Sequence, residues 1–540
     1  MSKPPSKVVP PKNVDLKGIR TSEGKRWFHV RYDGERAWVP EAEFAGAGHK
    51  AMERLAAREI VFIGSGAWSL FMRKVAAFKR FRKRAVITEP GWAGSSFALQ
   101  NGQVFSPSGT QAAIRLFDAD IDKCEQAGDI EGWLDEVARP LVGQNLAIFL
   151  LMLAFVAPLL KIVRRSGNFG VEIVSTAGKG KTFLLQLIAS VIGGAVDGEF
   201  GKYWIRFHTT VNGVEDIVEA HRDLPLLLDD ATSFAADSGR ASKGQSLFAA
   251  IFGMAQSQGK FRKGSNRPKS FRTVYVVTSN RTLANVIADI AREDAAAAAD
   301  RLLTLDLGVR ENRNFDHIPS TFADGTEFSR FLTAGMDRQH GTAMPHFLQK
   351  LVDHKHRNEA QLRDGIQRRI DGFLSELRLD RNDGSAMRVA EVFGLSSAAG
   401  QLAQHYGALP REFDCEAAAL ACYRLFQAST KRMSYAERLL ELAADPGVID
   451  LDLRAGGLAA ADEFHSASGF FRTRRRGRRE FLVNPSTLQR LIPDADRLLK
   501  DSEVAQMLRR DGPHLTKKRS MVEGEKPVRV HCFRLPNSAL

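Results

Sequence analysis

The chain has 540 residues, a formal net charge of +14 and a pI of about 9.6. That length leaves room for about two to four domains, and the basic excess makes an acidic polymer a natural partner. The cysteines, Cys124, Cys415, Cys422 and Cys532, form no CxxC pair and no metal-ligand spacing. They fit a reducing, cytoplasmic compartment better than a disulfide framework.

Residues 1–15 are rich in Pro, Lys and Val without an apolar signal core, and read as a disordered leader. An N-terminal α+β domain is expected over 16–140. It carries two hairpin signals: 27–32 turning at Asp33-Gly34 into 37–39, and 96–99 turning at Asn101-Gly102 into 104–105. Asp-Gly and Asn-Gly supply the positive φ angles that tight hairpins need. Residues 67–84 between them read as a helix, with Leu70, Phe71, Val75 and Phe78 on one side and a basic end, Lys79 to Arg84. Residues 146–160 are almost wholly apolar but fall short of the roughly 18–20 needed to cross hydrocarbon, and Pro158 interrupts them. They read as a helix buried against a nucleotide-binding sheet, with no membrane partner.

An ATPase core is expected over 141–310, where apolar strands alternate with helices as in a parallel α/β layer. The strands are expected at 171–174, 205–209, 224–228, 273–278 and 302–307. Between the first of these and an apolar helix lies Ser175-Thr176-Ala177-Gly178-Lys179-Gly180-Lys181-Thr182, with Phe183 opening the helix. This is a phosphate-binding loop in its expected strand–loop–helix context. Successive N–H groups and the helix N-terminus cradle phosphate oxygens, Lys181 adds a full charge, and Thr182 would ligate Mg²⁺. Ser175 departs from the glycine usual at the first position.

About 45 residues on, the run 224–228 ends in Asp229-Asp230. Asp229 is placed to hold the Mg²⁺ shell and Asp230 to polarise the attacking water. Asp is one methylene shorter than the Glu many motors carry there. The segment 259–272 is basic with a turn at its centre: Lys260, Arg262, Lys263, Arg267 and Lys269 can neutralise phosphates, and Phe261 offers a face to a base. The strand after it ends in Ser279-Asn280, an amide that can orient the lytic water. Loop, acidic strand and amide strand in that order specify a P-loop nucleoside triphosphatase using ATP and Mg²⁺.

Residues 311–445 are mainly helical, with 388–393 opening an amphipathic helix. Residues 446–540 combine short strands with helices near 486–491 and 502–509 and a closing strand at 528–535, which suggests a winged-helix-like domain. It carries Arg472, Arg474, Arg475, Arg476, Arg478 and Arg479, with Lys517, Lys518 and Arg519 near the expected wing.

From about Arg26 to Ala428 the chain resembles an AAA+ family catalogued as domain of unknown function 927, which includes replication helicases of mobile cassette elements similar to minichromosome maintenance motors. Its markers are Gly91-Trp92, the Asn101-Gly102 hairpin, Ala154-Phe155, Thr209-Thr210-Val211-Asn212-Gly213 and Gln339-His340-Gly341-Thr342-Ala343. The resemblance implies an AAA+-like core with a helical lid, and Asn280 as sensor 1. It further implies Arg301 as the arginine finger reaching a neighbouring subunit's γ-phosphate, with Arg292 as its rival, and Arg388 as sensor 2. A finger in trans implies a ring, expected to be a hexamer. In similar motors the position of 260–269 grips single-stranded DNA in the channel. The expected function is an ATP-driven helicase on single-stranded or forked DNA, replicating a phage, plasmid or integrated element, with an initiator or primase as a possible partner. The alternative is an ATP-switched DNA-binding or scaffold protein that does not translocate. A protein-remodelling ATPase ranks last, since no aromatic-glycine pore loop is apparent.

Overall fold

The computed structural model describes residues 14–64, 66–120, 123–165, 167–176, 178–196, 202–207, 211–231, 243–256, 271–283, 301–310, 314–380, 382–430, 435–474, 479–492, 495–522 and 524–535. The chain divides into two compact units, 1–430 and 431–540.

The centre of the first unit is a sheet of β1 (Phe169–Val174), β2 (Ile205–Arg206), β3 (Leu226–Asp229), β4 (Val274–Ser279) and β5 (Leu302–Asp306). Their order is β2-β3-β4-β1-β5, and every neighbouring pair is parallel. All strand carboxyl ends therefore share one edge. Every residue of β1 and β4 is buried, which is why these strands read as apolar runs rather than alternating ones. Val171, Ile173, Val276 and Leu305 enter one core; Leu226, Leu228, Tyr275 and Val277 enter another on the opposite face. The five expected strands are all present within the described residues, with ends shifted by a few positions.

The apolar run at 146–160 gives α1 (Asn145–Ala154), which is buried throughout from Leu146 onward, then a short 3₁₀ turn, Ala157–Leu159. Its main partners are helices rather than the expected sheet. It packs between α2 (Lys181–Ser190), α3 (Gly384–Tyr406) and α4 (Cys415–Thr430). Phe149 stacks on Phe393 at 5.3 Å, and Met152 lies against Gly400, where a Cβ would meet its sulfur at 2.4 Å. The helical region after 310 thus shares a continuous apolar core with the sheet and α1. Among the described residues no helix is long and apolar enough to cross a membrane. All four cysteines are buried and unpaired.

The N-terminal residues divide in two. Strands Asp15–Arg20, Arg26–Tyr32, Glu35–Pro40 and Phe81–Lys83 make a sheet with its own core. Asp33 (φ 52°) and Gly34 (φ 89°) form the first hairpin turn. The expected leader ends early, since Val14 is buried and the first strand opens at Asp15; its other residues lie outside the described ones. The helix expected over 67–84 is corrected by the structure. It stops at Ala77, and the basic stretch becomes strand Phe81–Lys83, parallel to Asp15–Arg20. Phe78 and Phe81 both pack edge-on to Phe28, at 5.6 and 5.3 Å, which pulls the chain out of helical geometry. The second hairpin belongs instead to the main core, to which Trp92, Phe97 and Phe105 contribute.

Three of the marker segments fasten this layer down. Gly91 has φ 91°, and a Cβ there would meet the Arg222 carbonyl at 2.7 Å. The Trp92 N–H donates to Asp223 Oδ2 at 3.0 Å and its ring N–H to the Pro158 carbonyl at 2.8 Å. Asn101 donates to the Cys124 carbonyl at 2.9 Å, beside Gly102 (φ 86°). Gly341 (φ 71°) donates its N–H to Ser190 O at 2.8 Å, and a Cβ would lie 2.0 Å from the Glu125 carbonyl oxygen. Left-handed backbone and close backbone approach together require glycine there.

In the second unit, strands Val448–Asp450, Gly469–Thr473, Arg479–Val483, Val528–Phe533 and Lys517–Arg519 form one sheet in that order. Helices Pro485–Leu491 and Ser502–Met507 lie near their expected positions. Helix Tyr435–Ala443, expected with the preceding helices, joins this unit because Leu439 and Leu442 enter its core beside Phe481 and Phe533.

Candidate nucleotide-binding site

The strand carboxyl edge carries the chemistry. After β1 the chain turns through Gly178 (φ 72°) and Gly180 (φ 80°) into α2, whose first residue is Lys181. A Cβ on Gly180 would sit 2.2 Å from Asn314 Nδ2, so the loop has no room for a side chain there. Ser175 is buried at 3 % exposure and is not among the positive-φ residues, so this first position tolerates a Cβ. Ala177 lies outside the described residues; Thr176 and Lys179 are in the turn, and Phe183 is buried against Phe315, ring centroids 5.8 Å apart.

The Lys181 ammonium donates to Ser175 O at 2.7 Å, Thr176 O at 3.1 Å and Asn280 Oδ1 at 2.8 Å. Burial holds its pKa below the ordinary lysine value, while Asp229 and Asp230 pull it back up. Thr182 Oγ1 donates to Asp229 Oδ2 at 3.0 Å. The structure thus brings Lys181, Thr182, Asp229 and Asn280, from three strand ends, to one place. Asp230 follows directly, with φ 56°, and its N–H donates to Thr278 Oγ1 at 2.9 Å.

Sequence reasoning missed Thr278. Its hydroxyl donates to Asp229 Oδ1 at 2.6 Å while accepting from Asp230, so one side chain fixes both acids. A hydroxyl two residues before the Asn280 amide was the available signal. Asn314 was missed too: among the described residues its Oδ1, buried beside the 175–182 loop, has no hydrogen-bond partner, and no motif marks it.

The two arginines lie elsewhere. Arg301 and Arg388 line a cavity of about 570 Å³ with Arg164, Arg165 and Glu391, at the amino end of β1 beside Asn168 and Phe169. One strand length, roughly 20 Å, separates that end from the phosphate loop. The structure therefore does not bring Arg388 to the phosphate loop of its own chain, where a nucleotide-binding role in cis would need it. Arg301 lies over the Phe252 ring at 4.4 Å, and Arg165 pairs with Glu391 at 3.6 Å. Arg292 and all of Lys260, Arg262, Lys263, Arg267 and Lys269 lie outside the described residues.

The C-terminal arginine cluster is partly internal. Arg474 pairs with Glu480 at 2.9 Å, Arg479 with Asp450 at 2.5 Å, and Arg472 donates to Ser520 O at 3.0 Å. Arg475, Arg476 and Arg478 lie outside the described residues.

Comparison with solved structures finds a similar fold in the structure titled SCCmec type IV Cch, active helicase. Identity is 12 %, the TM-score 0.55, and the match covers 97 % of this chain and 93 % of that one. The A-form apo structure of the NrS-1 C-terminal region is also found, at 10 % identity and a TM-score of 0.27, over 73 % of this chain and 88 % of that one. No curated protein matches the sequence. Over residues 24–272, from the first hairpin through both acids of the site to the residue before the amide strand's segment, the chain matches the model of the family described as Domain of unknown function (DUF927).

Proposed function

We propose that this chain is an ATP-hydrolysing, ring-forming DNA helicase that acts on single-stranded or forked DNA during replication of a phage, plasmid or integrated mobile element. The observation that carries this reading is the meeting of Lys181, Thr182, Asp229 and Asn280 at the carboxyl edge of the sheet. On this reading 141–310 is an AAA+-like core, 16–140 an N-terminal domain, 311–445 a helical lid and 446–540 a winged-helix-like DNA contact.

The residues fit a magnesium-bound triphosphate. Among the described residues Ser175 Oγ and Asn314 Oδ1 are buried at the loop with no hydrogen-bond partner, and Gly180 leaves space for Asn314 beside the loop. Thr182 and Asp229 are a hard oxygen pair suited to Mg²⁺ and its waters. When bound, Mg²⁺ would neutralise charge developing on the phosphate oxygens. Lys181 binds and orients those oxygens, and Asn280, already held by Lys181, orients the water that Asp230 polarises. Arg301 and Arg388 act in trans, on a second copy's nucleotide, because neither approaches the loop of its own chain. The basic segment 260–269 is the DNA-gripping element, with its lysines and arginines on phosphates.

The test is ATPase activity with and without single-stranded DNA, together with unwinding of a tailed fork. DNA-stimulated hydrolysis and strand separation support the reading; a fork left intact with ATP and Mg²⁺ overturns the helicase assignment. The alternative, an ATP-switched DNA-binding or scaffold protein, draws on Asp230: the acid is short and its backbone is fixed at φ 56°. Slow hydrolysis indifferent to DNA, with tight duplex binding, would select that alternative.

A further inference from the structure

Glu172 lies in the middle of β1, fully buried, and belongs to none of the motifs. Its Oε1 lies 2.7 Å from Ser279 Oγ and accepts the Leu283 N–H at 2.8 Å; Oε2 accepts from Thr304 Oγ1 at 3.0 Å. The carboxyl therefore joins the phosphate-loop strand to β4, to β5 and to the turn 279–283, which carries Asn280. No cation pairs with it among the described residues.

Counting protons makes the arrangement specific. Ser279 Oγ is 2.7 Å from Glu172 Oε1 and 2.6 Å from the Arg281 carbonyl oxygen. A serine hydroxyl has one proton, and a carbonyl oxygen can only accept. Both short contacts are hydrogen bonds only if Glu172 carries a proton and donates it to Ser279 Oγ, leaving the serine proton for Arg281 O. If Glu172 were ionised, Ser279 would turn its proton to the carboxylate, and the Arg281 carbonyl would lose this partner inside the turn that holds Asn280.

We propose that Glu172 is a protonated positioning residue that holds the Ser279–Leu283 turn, and with it the Asn280 amide, in register with Lys181, and that its ionisation loosens this turn. The proposal rests on the nucleotide-site reading given above and adds a proton-dependent control to it. Burial raises the Glu172 pKa to about 7, with the hydrogen bonds from Ser279, Leu283 and Thr304 opposing and the nearby Asp306 charge reinforcing the rise. β1 and β4 bring no other charged side chain to the carboxyl, β5 brings Asp306, and the turn brings Arg281 through its carbonyl. Glu172 touches neither Thr182 nor Asp229, so metal ligation does not enter its titration.

Two measurements on the full chain test this. The first is infrared difference spectroscopy between wild type and Glu172→Gln, needing no activity. A protonated-carboxyl carbonyl band present in mildly acidic buffer, absent from the variant and lost as pH rises through neutrality, is expected; its absence throughout overturns the proposal. The second is the pH profile of kcat and KM for ATP. If the protonated form alone holds the turn, wild-type kcat falls roughly tenfold from about pH 6 to about pH 8 through this group. Glu172→Gln cannot ionise, but an amide nitrogen placed to donate to Ser279 cannot accept the Leu283 N–H as Oε1 does, so its kcat should be lower than wild type at about pH 6 and flat across that range, with KM unchanged. A variant profile superimposing on wild type contradicts the positioning role. A wild type that hydrolyses no ATP while showing the carboxyl band would sink the ATPase reading and leave the protonated Glu172 standing.

Discussion

The two edges of the parallel sheet are built on opposite plans. At the carboxyl edge, acids, hydroxyls, an amide and a lysine satisfy one another within one chain: Lys181 with Asn280, Thr182 with Asp229, Thr278 with Asp229. At the amino edge, four arginines and one glutamate border a cavity of about 570 Å³. Arg165 has Glu391, while Arg164 and Arg388 form no ion pair among the described residues. The first edge holds Lys181, Thr182, Asp229 and Asn280 in place through its own bonds. Among the described residues lining the second, arginines outnumber acids, which suits an anion brought by something else. On the proposed reading that anion is a second copy's nucleotide.

The strongest way to break this contrast is Lys181→Ala. It removes the Lys181 ammonium from the loop, and hydrolysis should fall by about 10³-fold or more, read as steady-state phosphate release. Unchanged turnover would mean that catalysis lies elsewhere. Arg301→Ala should lower turnover by about 10³-fold while leaving nucleotide affinity intact. Mixing it with Lys181→Ala protein should restore activity at hybrid interfaces, because each variant keeps the edge the other lacks. Failure of that mixture, with both variants folded and assembled, would remove the division of labour between edges.

Stability sharpens the contrast from inside the sheet. Glu172 has a folded pKa of about 7, raised from an ordinary 4.5. Its contribution is therefore fully present below the unfolded value and lost as pH rises through the folded one. Relative to Glu172→Gln, wild type should lose roughly 3 kcal/mol between about pH 4.5 and pH 7, measured by denaturant melts. A pH-independent difference would contradict the titration. The smallest effect is expected from Thr278→Val, which cuts one bond to Asp229 and one from Asp230: about tenfold in kcat, near 1.4 kcal/mol, with little change in KM.

The legible parts of the molecule were those where local chemistry and context coincide. The strand–loop–helix around 175–182 announced itself by glycine, lysine and threonine between a strand and a helix, and the buried strands by unbroken apolar runs. The Asp33-Gly34 turn was readable because only a few residues accept positive φ. Other features depend on contacts distant in sequence. The basic stretch after Ala77 becomes a strand only because Phe78 and Phe81 find Phe28. Thr278 and Glu172 look like ordinary strand residues until the parallel register sets them against Asp229 and Ser279. Likewise, no local pattern shows that Arg474 and Arg479 of the second unit are engaged with Glu480 and Asp450.

The most direct test of the central claim is a structure of the full chain with Mg²⁺ and a non-hydrolysable ATP analogue. The account predicts triphosphate density along the loop from Ser175 to Thr182, with Lys181 Nζ on its oxygens and a metal ion ligated by Thr182 Oγ1 beside Asp229. A nucleotide bound at another surface, with the Thr182–Asp229 pair untouched, would contradict it.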